Sequence, residues 1–72
     1  MQAQRTTLRM TREARGISQV QLAKKTMISK QGYQNVEYNL STPSVLTAIR
    51  IAEALGVNDY STFKELFQAN SA

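Results

Sequence analysis

Between Leu22 and Glu37 the chain reads LAKKTMISKQGYQNVE, two helix-like pieces separated only by Thr26, Met27 and Ile28. A gap of three residues is too short for an ordinary loop, so the flanking helices must cross at a steep angle. Ser18 opens the first piece, where its hydroxyl can accept from first-turn N–H groups, and Gln21 three residues on completes a capping box. That predicts a helix from Gln19 to about Lys25, with Leu22 and Ala23 inward. Ser29 offers a second capping hydroxyl before a helix from about Lys30 to Tyr38. In it Tyr33, Val36 and Glu37 share one side at i, i+3 and i+4, which leaves Lys30, Gln31, Gln34 and Asn35 elsewhere on its surface.

The rest of the chain reads as helix too, so the expected fold is all-α and a single domain over 1–72. A first helix runs from Thr6 or Thr7 to Arg15, ended by Gly16 in a left-handed conformation, with Leu8 and Ala14 inward. Thr42 and Pro43 read as a cap followed by proline at the first helical position. The helix they open carries the stripe Val45, Ala48, Ile49, Ala52 and Leu55, and stops at Gly56. A last helix, from Asn58 or Ser61 to about Ala69, carries Tyr60, Phe63, Leu66 and Phe67, and the tail 70–72 frays. With no cysteine and no histidine, neither disulfides nor the usual zinc sites are available, and apolar packing must hold the fold. No metal or cofactor is expected.

Charge narrows the function. The net +4 is unevenly placed: residues 1–36 hold seven of the nine basic residues against Glu13 alone, which suggests a face for a polyanion. The steeply joined pair at about 18–38 forms a helix-turn-helix, whose second helix projects from the body. A major groove about 12 Å wide admits such a helix, and lysine, glutamine and asparagine read its base edges. No apolar run approaches the roughly 18 residues of a membrane span, which gives no membrane role and a cytoplasmic location, on the nucleoid when bound to DNA.

Five collinear blocks, LRMTREARGISQ, LAKKTMIS, YQNVE, TPS and IAEALGV, then carry a resemblance to the Cro/CI-like (XRE) helix-turn-helix regulators over about Leu8 to Val57. The resemblance implies a compact five-helix, lambda-repressor-like DNA-binding domain with its third helix in the groove. It implies base contacts by Lys30, Gln31 and Asn35, and backbone contacts by Gln19, Ser29, Gln34, Asn39, Ser41 and Thr42. Arg12 and Glu37 match positions that form a partly buried ion pair in that family, while Arg5 and Arg9 are further candidates for phosphate. Gly32, unfavourable inside a helix, has two readings, close approach to DNA or crowding against the second helix. The chain departs from the family pattern where Met27 and Asn39 replace glycine, where Thr11 replaces leucine, and in a longer fifth helix.

The leading expectation is a sequence-specific double-stranded-DNA-binding transcriptional regulator, a repressor of phage or bacterial type at a palindromic operator. Two-fold dimers pair half-sites about 34 Å apart, and Val57, Tyr60 and Phe63 are the candidate dimer contacts, with Leu46 another. The alternative is a protein-interaction module, antitoxin-like, that docks a protein partner through Tyr60, Phe63 and Phe67 on the C-terminal helix. Catalysis fares poorly: there is no histidine or cysteine, the five acids are scattered, and no phosphate loop is present.

Overall fold

The computed structural model describes residues 3–69 and, among them, forms five α-helices: α1 (Thr6–Ala14), α2 (Gln19–Thr26), α3 (Lys30–Glu37), α4 (Val45–Ala54) and α5 (Tyr60–Leu66). α2 packs on both α3 and α4, while α1 packs on α5 and α3. The core between them is Leu8, Leu22, Tyr33, Val36, Ile51, Leu55 and Leu66, with the small Ala23 and Ala52. None of the described helices is long and apolar enough to cross a membrane.

Local chemistry sets the starts. Ser18 Oγ accepts from Gln21 N–H at 3.1 Å and Gln21 Oε1 accepts from Ser18 N–H at 2.8 Å, the reciprocal capping box. Ser29 Oγ accepts from Gly32 N–H at 2.9 Å. These two caps fix where α2 and α3 begin, and Met27, which ends α2, sits in the left-handed region at φ 62°, ψ 36°.

The fourth helix starts later than the sequence predicts. Ser44, not Thr42, is the cap, accepting from Thr47 N–H at 3.1 Å, and Pro43 lies outside the helix. Both are sound local starts, and serine caps at least as well as threonine. The buried stripe of α4 is Ala48, Ile51, Ala52 and Leu55; Val45 and Ile49, expected inward, are 76% and 42% exposed. Both stripes have helical spacing in a helix apolar on most sides, so periodicity alone does not choose between them. α5 starts at neither predicted residue, because Asp59 caps it by accepting from Thr62 N–H at 2.8 Å, and it ends at Leu66. On α1, Ala14 is exposed and the inward partner of Leu8 is Arg12. The tail at 70–72 lies outside the described residues.

Candidate nucleic-acid interface

The second helix of the steep pair, α3, has two unlike faces. Inward, Tyr33, Val36 and Glu37 are buried; outward, Lys30 and Gln31 are exposed and Asn35 is half-exposed. Gln31 Nε2 donates to Asn35 Oδ1 at 2.9 Å, so two of the three proposed base-reading side chains already form one unit. This leaves the Gln31 amide oxygen and the Asn35 NH₂ without a partner among the described residues. Gly32 lies between them, and a Cβ there would meet only Ser29 Oγ, at 3.1 Å. Nothing from α2 crowds Gly32, which removes that reading of its presence.

The inner face is tied to α1 by a bidentate ion pair. Arg12 Nε donates to Glu37 Oε2 at 2.9 Å and Arg12 Nη2 to Glu37 Oε1 at 3.1 Å, while Arg12 Nη1 donates to Ile17 O at 2.8 Å. Burial pushes the Glu37 carboxyl up, but the polar and charged groups around it, Arg12 first and then Tyr33 and Gln19, together outweigh burial and hold the group below the ordinary carboxylate range. The Arg12 guanidinium is correspondingly raised, first by its hydrogen bonds to Glu37. Tyr33 Oη is buried within the field of this pair but makes no hydrogen bond of sound geometry. Burial first, and the neighbouring carboxylate second, push its phenol well above the ordinary range, so it stays protonated.

Gln19, at the start of α2, joins the same network. Its Nε2 donates to Glu37 Oε1 and to Tyr38 Oη, both at 3.3 Å, and its Oε1 accepts from Gln34 Nε2 at 2.9 Å. Gln19 and Gln34 are thus brought together, half-buried, at the seam between the two helices. Beyond α3, Asn39 adopts the left-handed φ of 61°, and Ser41 and Thr42 are exposed on the following loop. The face around α3 therefore gathers Gln19, Ser29, Lys30, Gln31, Gln34 and Asn35.

The C-terminal candidates divide. Tyr60 is 76% exposed, whereas Val57, Phe63 and Phe67 are only half-exposed and pack against the core. The rings of Phe63 and Phe67 meet at 5.2 Å in a tilted arrangement. A shallow groove of about 220 Å³ runs between α4 and α5, lined by Ile49, Glu53, Val57, Tyr60 and Phe63 among others.

The arginines correct the reading of charge. Arg5, a candidate phosphate contact, is buried and among the described residues its side chain donates only to carbonyl oxygens, and Arg15 Nε donates to Leu55 O at 2.9 Å at the end of α4. With Arg12, three of the basic residues in the first half hold the fold together. Arg9, Lys24, Lys25 and Lys30 are left exposed. Nothing in the sequence marks Arg5, a lone residue ahead of a helix, as internal.

Compared with known families, the chain matches the helix-turn-helix family model over residues 8–59, more than half of its length. No curated protein and no solved structure matches it.

Proposed function

The chain belongs to the helix-turn-helix family of XRE, Cro/CI-like type, double-stranded-DNA-binding transcription regulators, and on that premise we propose that it is a repressor acting as a homodimer at a palindromic operator. The observation that supports this best is the division of α3: its inner face is locked by Arg12–Glu37 while Lys30, Gln31 and Asn35 stand together on the outer one. A rigid helix with amide and amine groups outward suits major-groove readout, lysine toward guanine and the amides toward adenine. Gln19, Ser29, Gln34, Asn39, Ser41 and Thr42 would contact the sugar-phosphate backbone and set the register. In this reading residues 1–72 work as one DNA-binding unit.

The second copy docks through Tyr60, with Val57 and Phe63 behind it. The support is that exposed Ile49 lines one groove with Tyr60 and lies one helical turn from the exposed Val45 and Leu46 of α4. The same surface favours the alternative, an antitoxin-like module that takes up another protein there.

Selection from a random duplex pool at near-physiological salt separates the two. An enriched inverted repeat is the expected result; a well-folded protein that enriches nothing would favour the protein-docking module. On the recovered site, Asn35→Ala should relax preference at one base position and Gln19→Ala should weaken all sequences alike. Equal losses on every sequence for both variants would overturn these roles.

A further inference from the structure

We infer that Arg5 is a positioning residue for DNA binding, which orients the Ser41–Thr42 peptide so that the Thr42 N–H points out of the protein toward a phosphate. The inference rests on the proposal that residues 39–42 meet the DNA backbone.

Arg5 is the N-cap residue of α1, yet it is only 4% exposed and its side chain makes no capping hydrogen bond. Its backbone N–H donates to Glu37 O at 3.0 Å. Its side chain crosses to the far end of α3, where Nη1 donates to Val36 O at 2.5 Å and to Ser41 O at 2.9 Å, and Nε donates to Phe67 O at 3.1 Å. One planar guanidinium thus joins the last turn of α3, the loop after it, and the residue that ends α5. Carbonyls at helix C-termini carry partial negative charge, which lets them hold a buried cation without a carboxylate. Burial lowers its pKa, but arginine remains charged at ordinary pH.

The consequence falls on one peptide unit. Ser41 N–H donates to Asn35 O at 3.2 Å, and Ser41 O accepts from Arg5, so the residue is held from both sides. In a planar trans peptide the C=O and the following N–H point in opposite directions. With Ser41 O drawn inward to Arg5, the Thr42 N–H must face outward. Thr42 is exposed, and its N–H makes no hydrogen bond among the described residues. An unpaired, outward amide beside α3 is a phosphate donor, the kind of contact that positions a protein on a duplex without reading sequence.

Because such a contact is independent of sequence, the test needs only a mixed-sequence duplex. Binding is measured across a salt series for the full chain, for Arg5→Met and Arg5→Lys, for Ile51→Val as a destabilised control remote from the loop, and for a synthetic chain whose Ser41–Thr42 amide is an ester. All are compared well below their melting temperatures, with active fraction fixed by stoichiometric titration. Arg5→Met should bind about tenfold more weakly, the worth of about one lost charged-acceptor hydrogen bond, with an unchanged slope of log K against log salt. Arg5→Lys, which keeps the charge but not the planar fork, should fall between; it serves alone if Arg5→Met does not fold. Ile51→Val should bind like the parent and the ester like Arg5→Met. A slope smaller by about one for Arg5→Met would make Arg5 itself a phosphate contact and overturn the inference. So would affinities for the Arg5 variants equal to that of Ile51→Val while the ester is weak, which would leave the loop contact standing. An ester that binds like the amide would overturn the loop contact and the inference together.

Discussion

The body helices α1 and α4 and the paired helices α2 and α3 end in the same way, yet only the first two use glycine. In each, the N–H of the left-handed residue bonds three back and the next N–H bonds five back: Gly16 and Ile17 to Glu13 and Arg12, Gly56 and Val57 to Glu53 and Ala52, Met27 and Ile28 to Lys24 and Ala23, Asn39 and Leu40 to Val36 and Asn35. This is the Schellman stop. In three of the four the following residue, Ile17, Ile28 or Val57, packs against the core, whereas Leu40 is exposed. The comparison teaches that the hydrogen bonds and the apolar residue behind them define the stop, and glycine only lowers its conformational cost. It also singles out the end of α3, which lacks the apolar contact and is held by polar groups instead: Arg5 on its carbonyls and Arg12 on Glu37.

The largest break in this comparison should come from Glu37→Ala. Removing one partner of a buried ion pair strands the other charge, at a cost of about 3–5 kcal/mol. A domain of this size has about 4–11 kcal/mol in all, so the variant should be largely unfolded or carry a loosened α3. Urea denaturation followed by circular dichroism measures it, and a melting curve like the parent's would remove the pair from the account. The same pair sets an acid limit. Because the Glu37 pKa is depressed in the folded state, its contribution is complete above the unfolded carboxylate's value of about 4.3 and is lost as pH falls through the lower folded value. Parent stability should therefore decline below about pH 4 more steeply than that of Glu37→Gln, which has no proton to take up there.

Next in size are the glycine ends. A Cβ at Gly16 or Gly56 would meet nothing within 4 Å, so Gly16→Ala and Gly56→Ala report backbone strain alone. Left-handed backbone costs an L-residue about 1–2 kcal/mol, and the stiffer unfolded chain returns about 0.4–1. Each variant should lose about 0.5–1 kcal/mol, read as a lower urea midpoint with an unchanged m-value. A neutral result at both sites would mean that these turns relax out of the left-handed region.

What the sequence made legible follows the same division. Ser18 with Gln21, Ser29, Gly16 and Gly56 announce their helix ends through local chemistry, and the structure places the ends there. The start of α4 was misplaced because Thr42-Pro43 and Ser44 are both good local signals, and residue identity alone does not choose between them. Arg12 and Glu37 were legible through a resemblance, since 25 residues of chain separate them and no local rule connects them. Arg5 was illegible for a related reason: its three acceptors are backbone carbonyls on three other segments, and carbonyls leave no trace in residue identity. Charge counted along the chain therefore overstated the basic face, because it could not tell arginines used inside the fold from lysines left outside.

The smallest effects test the paired helices, where glycine is missing. Met27 is 71% exposed, so Met27→Gly gives up little packing while it relieves a left-handed backbone at φ 62°. The relief of about 1–2 kcal/mol is opposed by about 0.5–1 for the freer unfolded chain, leaving a gain of about 0.5–1 kcal/mol, the mirror of Gly16→Ala. Asn39 occupies the same region at φ 61°, but asparagine tolerates it far better than an unbranched apolar side chain. For Asn39→Gly the two terms nearly cancel, and the change should stay within about 0.5 kcal/mol. Paired melting and urea curves decide it. If both variants gain alike, the strain belongs to the turn geometry whatever side chain sits there; if Met27→Gly gains nothing, the methionine side chain supports the turn between α2 and α3 in a way its exposure does not reveal.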